Sequence, residues 1–383
     1  MLRVFEAFAG VGSQRMALRN LNIDFEVVGI SDVDRYALLA YDAIHHNNEP
    51  VEEKTKEEML AEFTKRNIGY NFSTGKSELP KKYEDIKKLY EAHVRSKNFG
   101  DIRTIDVNEL PEIDLFTYSF PCKNISVEGL KAGFDKDSGN QSSLVWDCKK
   151  IIESKRPKYL LMENVKNIVS KAHIHNFNEW CETLENLGYN NYWKIYNGVD
   201  YGVPQKRERV MMVSILKEND KGYVMPLGYP LQTFLVDILQ DQVDDKFYID
   251  REKFATLIKD APDENGLPVV HVREANRKGY AEATIGDSIN IMQANSKTRR
   301  GRVGKGVCNT INTSNWQCVL EFDRRIRRLT DLECWRLIGF SDEDYYKAKI
   351  IGGLSESKLY ERAGRGIVVP MLEEIFKNLL LDE

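Results

Sequence analysis

The chain has 383 residues, of which 42% are apolar and 30% are charged, and its net charge is −4. This composition is typical of a globular protein that forms one large domain and one smaller one. No apolar run approaches the ~20 residues that a bilayer span requires, so we expect no membrane-spanning helix and no membrane partner. The opening MLRVFEAFAGVG indicates a buried strand rather than a cleavable signal, so we expect a cytoplasmic protein.

The cysteines give no sign of a disulfide framework or a zinc site. None of the six stands in a CxxC or CxxH spacing. We therefore expect no metal, and buried free thiols for most of Cys122, Cys148, Cys181, Cys308, Cys318 and Cys334.

In chain order, the first predicted elements alternate between strand and helix. The strand RVFEAF, the glycine turn AGVGS, the helix QRMALRNL, the strand FEVVGISD and the helix RYALLAYDAIHHN form the opening of a βαβ unit. Residues 49–98 are rich in Lys and Glu at helical period, which predicts a helical insertion on the surface. The α/β pattern then resumes with strands at 113–120, 158–165, 192–197 and 209–216 and helices at 143–155 and 177–188.

The alternation stops after residue 216. Residues 217–322 carry short β-like runs with many Gly, Asn and Thr residues, which predicts a smaller, irregular, β-rich domain. Helical pattern returns at 330–340 and in a closing helix expected to begin at Ile367 and to pack on the first sheet. The predicted division is therefore 1–216 with 323–383, and 217–322.

Three predicted strand ends carry residues that suit an adenosine ligand. Gly10 and Gly12 allow close backbone approach at the carboxyl edge of a parallel sheet, although a plain turn would also use glycine. Asp32 could bind ribose hydroxyls, and Asp101 could accept a hydrogen bond from an adenine amino group. Because GxxxxGK and a full GxGxxG are both missing, a nucleoside without a phosphate chain, such as S-adenosylmethionine, fits best.

The following strand ends supply a thiol, a carboxyl group and two guanidinium groups. Pro121-Cys122 places a cysteine at the same edge, where a polar turn favours exposure over the usual burial. Glu163 ends the next strand, and a thiolate facing a carboxylic acid suits covalent catalysis with proton donation. Arg207 and Arg209 alternate along QKRERV and should share one face, where they could hold a base and a phosphate.

The segment KTRRGRVGK at 297–305 is basic and punctuated by glycine. A flexible loop of this kind can follow a phosphate backbone, although a solvated basic loop is common in proteins generally. Its charged members are Lys297, Arg299, Arg300, Arg302 and Lys305.

Six motifs, taken in order, resemble the motif set of the DNA cytosine-C5 methyltransferases: FAGVGS, SFPCKNISVEG, MENV, QKRERV, RRLTDLECWRLIGF and AGRGIVVP. Each motif alone is modest, but the ordered set is specific and covers most of residues 1–215 and 325–383. The resemblance implies a Rossmann-like class I methyltransferase domain with a mostly parallel sheet, and a target-recognition domain at 217–322. It also implies double-stranded DNA as partner, a bacterial or phage source and a monomer.

The resemblance further implies roles for individual residues. At the cofactor, Phe8 and Val33 would sandwich the adenine, Asp32 would bind the ribose and Asp101 would bind the adenine amino group. At the flipped cytosine, Cys122 would attack C6, and Glu163 would protonate or hydrogen-bond N3. Arg209 would contact the base, with Arg207 near it. Further residues implied at the cofactor are Ala9, Ile102, Pro121, Leu144, Gly366 and Ile367, and further DNA contacts are Lys123, Ser126 and Gln205. The stretch NTINTSN at 309–315 resembles the family's Thr-rich turn.

The sequence departs from the family pattern at two places. Lys123 stands where Gln is usual; it could contact phosphate, lower the thiol pKa of Cys122, or reflect drift. Arg365 and Gly366 stand where Asn and Ser or Ala are usual, beside the cofactor's sulfonium, where a second cation is electrostatically unfavourable. Arg365 could turn outward to solvent, or it could bind the carboxylate of carboxy-S-adenosylmethionine with Gly366 making room, giving 5-carboxymethylcytosine.

Two other classes compete with a DNA methyltransferase. A tRNA cytosine-C5 methyltransferase would share the fold, but a separate β-rich domain with a basic loop favours duplex DNA. A regulatory homologue without catalysis is disfavoured because Cys122, Glu163 and Arg209 are all present.

Overall fold

The computed structural model describes residues 1–47, 49–72, 74–121, 125, 141–263, 265–266 and 268–381. The expectations for Cys122, Lys123 and Ser126 therefore lie outside the described residues. The strands are β1 (Leu2–Ala7), β2 (Phe25–Ser31), β3 (Tyr70–Asn71), β4 (Lys76–Ser77), β5 (Leu115–Tyr118), β6 (Tyr159–Val165), β7 (Tyr189–Asn197), β8 (Gln205–Lys206), β9 (Glu208–Leu216), β10 (Ile258–Pro262), β11 (Pro268–Arg273), β12 (Tyr280–Ala283), β13 (Ser288–Asn290), β14 (Val303–Gly304), β15 (Cys308–Asn309), β16 (Gln317–Leu320) and β17 (Ile326–Arg328). The α-helices are α1 (Ser13–Asn20), α2 (Arg35–His45), α3 (Lys56–Lys65), α4 (Tyr83–Arg95), α5 (Val145–Lys155), α6 (Ile174–Asn186), α7 (Asp331–Arg336), α8 (Asp342–Tyr346), α9 (Glu356–Arg365) and α10 (Val369–Leu380).

A six-stranded sheet in the order β2-β1-β5-β6-β9-β7 forms the centre of the larger part. Its first four strands are parallel, and β9 runs antiparallel to both of its neighbours. Buried residues cover both faces of this sheet in two hydrophobic clusters. The parallel strands place their carboxyl ends along one edge, as the sequence predicts.

The third strand end expected before Asp101 is absent as a regular strand. Asn98 makes only an isolated parallel bridge to Ile30, and Asp101 instead caps a short 3-10 helix, Ile102–Thr104. The carboxylate still lies at the sheet edge, because Ser31 Oγ donates a hydrogen bond to the carbonyl of Gly100 over 2.6 Å.

The 49–98 insertion is not only helical and is not only a surface feature. Between α3 and α4 it contains the short hairpin of β3 and β4. Residues Met59, Phe63, Ile86 and Leu89 of α3 and α4 are buried in one cluster with Leu38 and Tyr41 of α2. Residues 49–98 thus contain two α-helices, α3 and α4, and these share a core with the sheet domain.

Between β9 and α7 the described residues form strands and 3-10 turns, without an α-helix. They build a three-stranded antiparallel sheet, β10-β11-β12, and a four-stranded one, β14-β13-β16-β17. A cluster that includes Val270, Val272, Ile289 and Ile326 lies between these strands. The chain then returns to the large sheet, where α10 packs against α1 through one shared core.

The C-terminal motif AGRG differs from the predicted turn. Ala363, Gly364 and Arg365 form the last turn of α9, Gly366 is its extended C-cap, and α10 begins at Val369. Among the described residues, no helix is both long and apolar enough to cross a membrane.

Candidate active site

The edge formed by β1, β2, β5 and β6 opens into a cleft of about 2040 Å³. This volume exceeds the ~300–1,000 Å³ of an ordinary single-ligand site, so two ligands can occupy it side by side. Most of the described residues singled out in the sequence line it: Phe8, Ala9, Gly10, Asp32, Val33, Asp101, Ile102, Pro121, Leu144, Glu163, Arg207, Arg209, Arg299, Arg365, Gly366 and Ile367. The fold therefore gathers into one cavity residues that lie more than 350 positions apart in sequence.

The turn after β1 holds its backbone in the left-handed region. Phe8 has φ +57° and Gly10 has φ +59°. A bulky residue in this region is strained, and such strain is typical of functional turns. Gly12, also left-handed with φ +77°, differs from the expectation for it: it does not line the cleft, and an added Cβ would lie 2.3 Å from His45 Nε2. The second glycine therefore serves helix packing.

Asp32 joins the first two strand ends. Its carboxylate accepts hydrogen bonds from the backbone N–H of Gly10 at 2.9 Å and of Asp34 at 2.8 Å. Burial, together with the charge of Asp34, raises the pKa of Asp32 to about 6 against these hydrogen bonds. The cleft thus holds a carboxyl group that ionises less readily than an ordinary Asp, and a further donor would favour its ionised form.

Asp101 already has donors on both of its oxygens. Arg103 donates to it from its backbone N–H and its side chain, and Asn67 Nδ2 donates to Oδ2 at 2.9 Å. Burial opposes the charge, but these donors outweigh it and hold the pKa of Asp101 below its usual value. Asp101 is therefore an ionised acceptor whose front is covered by the Arg103 side chain.

Glu163 and Arg209 form an ion pair at the opposite end of the cleft. Arg209 Nε lies 2.9 Å from Glu163 Oε1, and both side chains are only 13% exposed. Burial raises the pKa of Glu163, while the charges of Arg209 and Arg207 oppose that shift. This position can therefore present either a carboxylate or a carboxylic acid to a bound base.

Hydrogen bonds from neighbouring side chains fix the segment that leads to Cys122. Asn164 Nδ2 donates to the carbonyl of Phe120 at 3.1 Å, and Ser142 Oγ donates to the carbonyl of Pro121 at 2.7 Å. Pro121 lines the cleft, whereas Cys122 itself lies outside the described residues. The approach to the cysteine position is thus anchored beside Glu163.

Arg207 and Arg209 both line the cleft, as their alternation predicts, but their side chains bind different partners. Arg207 is 2% exposed. Its guanidinium donates to the carbonyls of Ile311, Gly364 and Gly366, over 2.9–3.1 Å. Arg207 therefore ties the 309–315 stretch to the end of α9, while Arg209 is the arginine that reaches Glu163.

Arg365 lines the cleft but does not present an unpaired charge. Its Nη1 lies 3.1 Å from Asp34 Oδ2 and its Nη2 lies 2.6 Å from Glu361 Oε1, with the side chain 56% exposed. The buried Arg362 pairs with the same two carboxylates, each at 2.8 Å. Sequence reasoning missed Arg362, whose one available signal was a position three residues before Arg365 on the same helical face.

Gly364 and Gly366 of the AGRG motif are needed because neighbouring residues pack closely against them, and they do not enlarge the cleft. A Cβ on Gly364 would lie 2.2 Å from the backbone oxygen of Asn312, and a Cβ on Gly366 would lie 2.7 Å from Ile338 Cδ1. The expectation that Gly366 enlarges the cleft is therefore not met, because a Cβ there would point at Ile338.

Two residues expected to contact DNA are buried supports instead. Gln205 donates to the carbonyl of Leu337 and accepts from the backbone of Ile311, and its side chain is buried. Arg302 is fully buried and donates to the carbonyls of Met292, Gln293 and Ser296. Both side chains are buried and hydrogen-bonded within the chain, so they cannot reach a phosphate.

The other basic residues of the 297–305 loop remain at the surface. Arg299 lines the cleft, Lys297 and Arg300 are exposed, and Lys305 pairs with Asp287 at 2.8 Å. In the described part of the chain, no group of His, Cys, Asp and Glu side chains could hold a metal ion. The described cysteines, Cys148, Cys181, Cys308, Cys318 and Cys334, are free thiols.

The mixed α/β sheet is similar in fold to the sheets of several solved methyltransferase structures. The solved structure of the Dnmt2 methyltransferase of S. pombe superposes with a TM-score of 0.58 at 17% identity, over 100% of this chain and 99% of that one. At that identity the likeness concerns the fold alone.

The family follows from sequence comparison. A model of the C-5 cytosine-specific DNA methylase family matches residues 73–381, and the chain belongs to that family. It is 42% identical to the type II methyltransferase M2.ScrFI of Lactococcus lactis subsp. cremoris, over 99% of each chain. It is 30% identical to the orphan methyltransferase M.SssI of Spiroplasma monobiae, over 99% of this chain and 97% of that one. The family resemblance drawn from the motifs is confirmed.

Proposed function

We propose that the protein transfers a methyl group from S-adenosylmethionine to C5 of a cytosine in double-stranded DNA. One observation carries the proposal: a single cleft has acidic groups for a nucleoside at one end and the Glu163–Arg209 pair beside the Pro121 segment at the other. Membership of the C-5 cytosine-specific DNA methylase family supports the same reaction.

The cofactor end suits S-adenosylmethionine, which when bound would supply the methyl group. Asp32 would accept hydrogen bonds from the ribose hydroxyls, and Asp101 would accept one from the adenine amino group. Phe8 and Val33 line the same cleft as these acids and would contact the two faces of the adenine. None of these contacts requires a phosphate or a metal.

The base end supplies acid and positioning groups. Cytosine C5 is a weak nucleophile, so Cys122 would form an Sγ–C6 bond while Glu163 donates a proton or hydrogen bond to N3. The electron pair displaced from the C5–C6 double bond then makes C5 nucleophilic. C5 would take the methyl group as the methyl–sulfur bond of the donor breaks, which leaves S-adenosylhomocysteine. A water molecule acting as base would then remove the C5 proton, the C5–H electron pair would re-form the C5–C6 double bond, and Sγ would leave C6 as the thiolate. Any proton given to N3 would return to Glu163. Arg209 holds Glu163 in place through their ion pair and would contact the bound base.

The base must leave the duplex to reach this cleft. We assign DNA contact to the β-rich residues 217–322, because Arg299 of the basic loop lines the cleft itself. In this proposal the chain acts as a monomer in the cytoplasm of a bacterial or phage-infected cell.

Carboxymethyl transfer from carboxy-S-adenosylmethionine is a second candidate, favoured by the position of Arg365 on the cleft wall. Against it, the guanidinium of Arg365 already faces two carboxylates, Asp34 and Glu361. A carboxylated donor would have to replace one of these ion pairs. We therefore place methyl transfer first.

The test is to incubate the purified protein with duplex DNA and each donor, to digest the DNA, and to identify the nucleosides by mass spectrometry. We expect 5-methylcytosine with S-adenosylmethionine, no product from Cys122→Ala, and the same product from Arg365→Asn. Formation of 5-carboxymethylcytosine that is lost in Arg365→Asn would replace the methyl proposal with the second candidate.

The nucleic acid is tested separately. The wild type should form a covalent adduct with a 5-fluorocytosine duplex in the presence of the donor, and Cys122→Ala should form none. Turnover on tRNA in place of duplex DNA would contradict the proposed substrate, and absence of any adduct would contradict catalysis.

A further inference from the structure

The 49–98 insertion makes direct contact with the adenine end of the cleft. The backbone N–H of Gly69 donates to the carbonyl of Val33 at 2.7 Å, and that of Asp101 donates to the carbonyl of Arg66 at 2.9 Å. At Gly100 the two segments approach so closely that an added Cβ would lie 2.3 Å from the carbonyl oxygen of Arg66. Segment 66–72 is therefore docked on the turn after β2 that carries Val33 and on the segment that carries Asp101.

Within this segment, Asn67 bonds the carboxylate of Asp101. Because a carboxylate only accepts hydrogen bonds, the amide of Asn67 must present its NH₂ group, and Nδ2 lies 2.9 Å from Oδ2. Asn67 is half-buried and does not line the cleft, so it approaches Asp101 from behind. Its backbone is left-handed, with φ +54°, a conformation that Asn tolerates better than most residues.

Arg103 covers the same carboxylate from the cleft side. Its Nη2 lies 2.6 Å from Asp101 Oδ2, and its guanidinium carbon lies 4.1 Å from the centre of the Phe72 ring. The Arg103 side chain is 41% exposed, whereas that of Asp101 is 3% exposed. With Asn67 and Arg103 bound, the roughly four acceptor sites of a carboxylate are filled.

A ligand amino group can therefore reach Asp101 only by replacing a donor, and the exposed Arg103 side chain is the one that can move into solvent. We infer that Asn67 is a positioning residue for the cofactor: it holds Asp101 from behind while the adenine amino group takes the place of the Arg103 side chain. This inference rests on the proposed use of an adenosine cofactor, and it assigns the insertion a part in cofactor recognition.

The experiment compares two ligands by calorimetry: S-adenosylhomocysteine, and its 6-oxo analogue, in which the adenine amino group is replaced by oxygen. Asn67→Gly removes the amide while keeping a residue that accepts a left-handed backbone. Arg103→Met removes the side-chain donors, keeps the backbone N–H donor and keeps an apolar stem against Phe72. The matched control is Asn22→Gly, since Asn22 is exposed and has the same φ of +54°.

Asn67→Gly should weaken binding of S-adenosylhomocysteine about tenfold and change binding of the 6-oxo analogue far less. The reason is that the Asp101 carboxylate loses the hydrogen bond that orients it toward the adenine amino group, and the 6-oxo analogue lacks that amino group. Arg103→Met should keep or increase the preference for the amino ligand, and Asn22→Gly should match the wild type. Thermal unfolding of each variant shows whether the fold is retained.

Three results separate the possible failures. An Asn67→Gly protein that keeps the wild-type preference overturns the inference. An Arg103→Met protein that loses the preference as strongly as Asn67→Gly also overturns it, because Arg103 would then be the holding group. A wild type that does not bind S-adenosylhomocysteine contradicts the proposed function instead.

Discussion

At the scale of single residues, the cleft changes the acidity of two carboxyl groups that the motifs alone present as ordinary acids. Burial raises the pKa of Glu163 and brings that of Asp32 to about 6. The pKa of Asp101 in the same cleft is lowered, because donors on both of its oxygens outweigh the effect of burial. The pKa values of the three acids therefore shift in different directions, for reasons that lie in burial and in their neighbours.

Glu163→Gln should lower methyl transfer by about a hundredfold or more, because an amide cannot deliver a proton to N3. Cofactor binding should change little, and thermal unfolding measures how far the loss of the Arg209 ion pair lowers stability. Transfer of labelled methyl to duplex DNA measures the effect. The matched control is Glu208→Gln, which changes a 47% exposed carboxylate paired with Lys166. Equal activity of the two variants would remove Glu163 from the mechanism.

Cofactor affinity should depend on pH through Asp32. Only the ionised carboxylate accepts from two ribose hydroxyls, so binding should be tight above pH 6 and weaken as the pH falls below 6. Because one carboxyl group titrates, the affinity should fall by at most about tenfold for each pH unit below 6. Calorimetric titration with S-adenosylhomocysteine between pH 5 and 7.5 measures this. Asp32→Asn should bind more weakly and without that pH dependence, and a wild-type affinity constant over this range would contradict the role of Asp32.

At the scale of elements, the short helix α7 is fixed by charge as well as by packing. Thr330 and Glu333 form a capping box at its start. The Glu333 carboxylate also lies 2.8 Å from Arg327 Nη2 of β17, and both side chains are fully buried. The motif RRLTDLECW thus joins the last strand of the β-rich part to the returning helix through one buried ion pair.

Glu333→Gln should lower the free energy of unfolding by about 3 kcal/mol, because it leaves the buried Arg327 without its full counter-charge. Denaturant unfolding followed by circular dichroism measures the change. Glu343→Gln is the control: this carboxylate is 77% exposed and pairs with Lys347 four positions on. Its loss should cost less than about 1 kcal/mol. Equal stabilities would show that the buried pair contributes nothing.

The end of α9 shows where element prediction from the sequence fails. Two glycines around Arg365 suggest a tight turn, yet Gly364 lies within the helix and Gly366 only caps it. The reason is tertiary: backbone from residues 312–313 passes so near Gly364 that no side chain fits. A contact with a segment some fifty residues away leaves no local pattern that could reveal it.

At the scale of the whole molecule, the cleft is completed by both parts of the chain. The sheet edge supplies the acids, the return through α9 supplies Arg362 and Arg365, and the β-rich part supplies Arg299 and the 309–313 stretch. Arg207 connects these parts by donating to carbonyls of Ile311, Gly364 and Gly366. The proposed DNA and cofactor sites therefore depend on the same contacts.

The basic residues of the 297–305 loop should differ in role, since some are accessible to DNA and Arg302 is buried and supports the fold. Replacing Lys297, Arg299 and Arg300 together with Ala should lower the slope of log affinity for duplex DNA against log salt by about 0.9 for each phosphate that the loop no longer neutralises. The folded protein should melt as the wild type does. Arg302→Ala should instead lower thermal stability, because three backbone carbonyls lose their donor. An unchanged salt slope in the triple variant would exclude this loop from DNA binding.

The sequence by itself determined the alternating order of strands and helices, the family and most of the residues that line the cleft. Hydrophobic period and glycine turns depend on nearby residues, and strand ends of a parallel sheet must meet at one edge, so Asp32 and Glu163 could be placed together. Asp101 lies at the same edge although no regular strand precedes it. Only the tertiary structure decided which polar groups are accessible. It buried Gln205 and Arg302 as supports, paired Arg365 with Asp34 and Glu361, and brought Asn67 behind Asp101. The physical reason is that solvent exposure and hydrogen-bond partners are set by segments far apart in the chain.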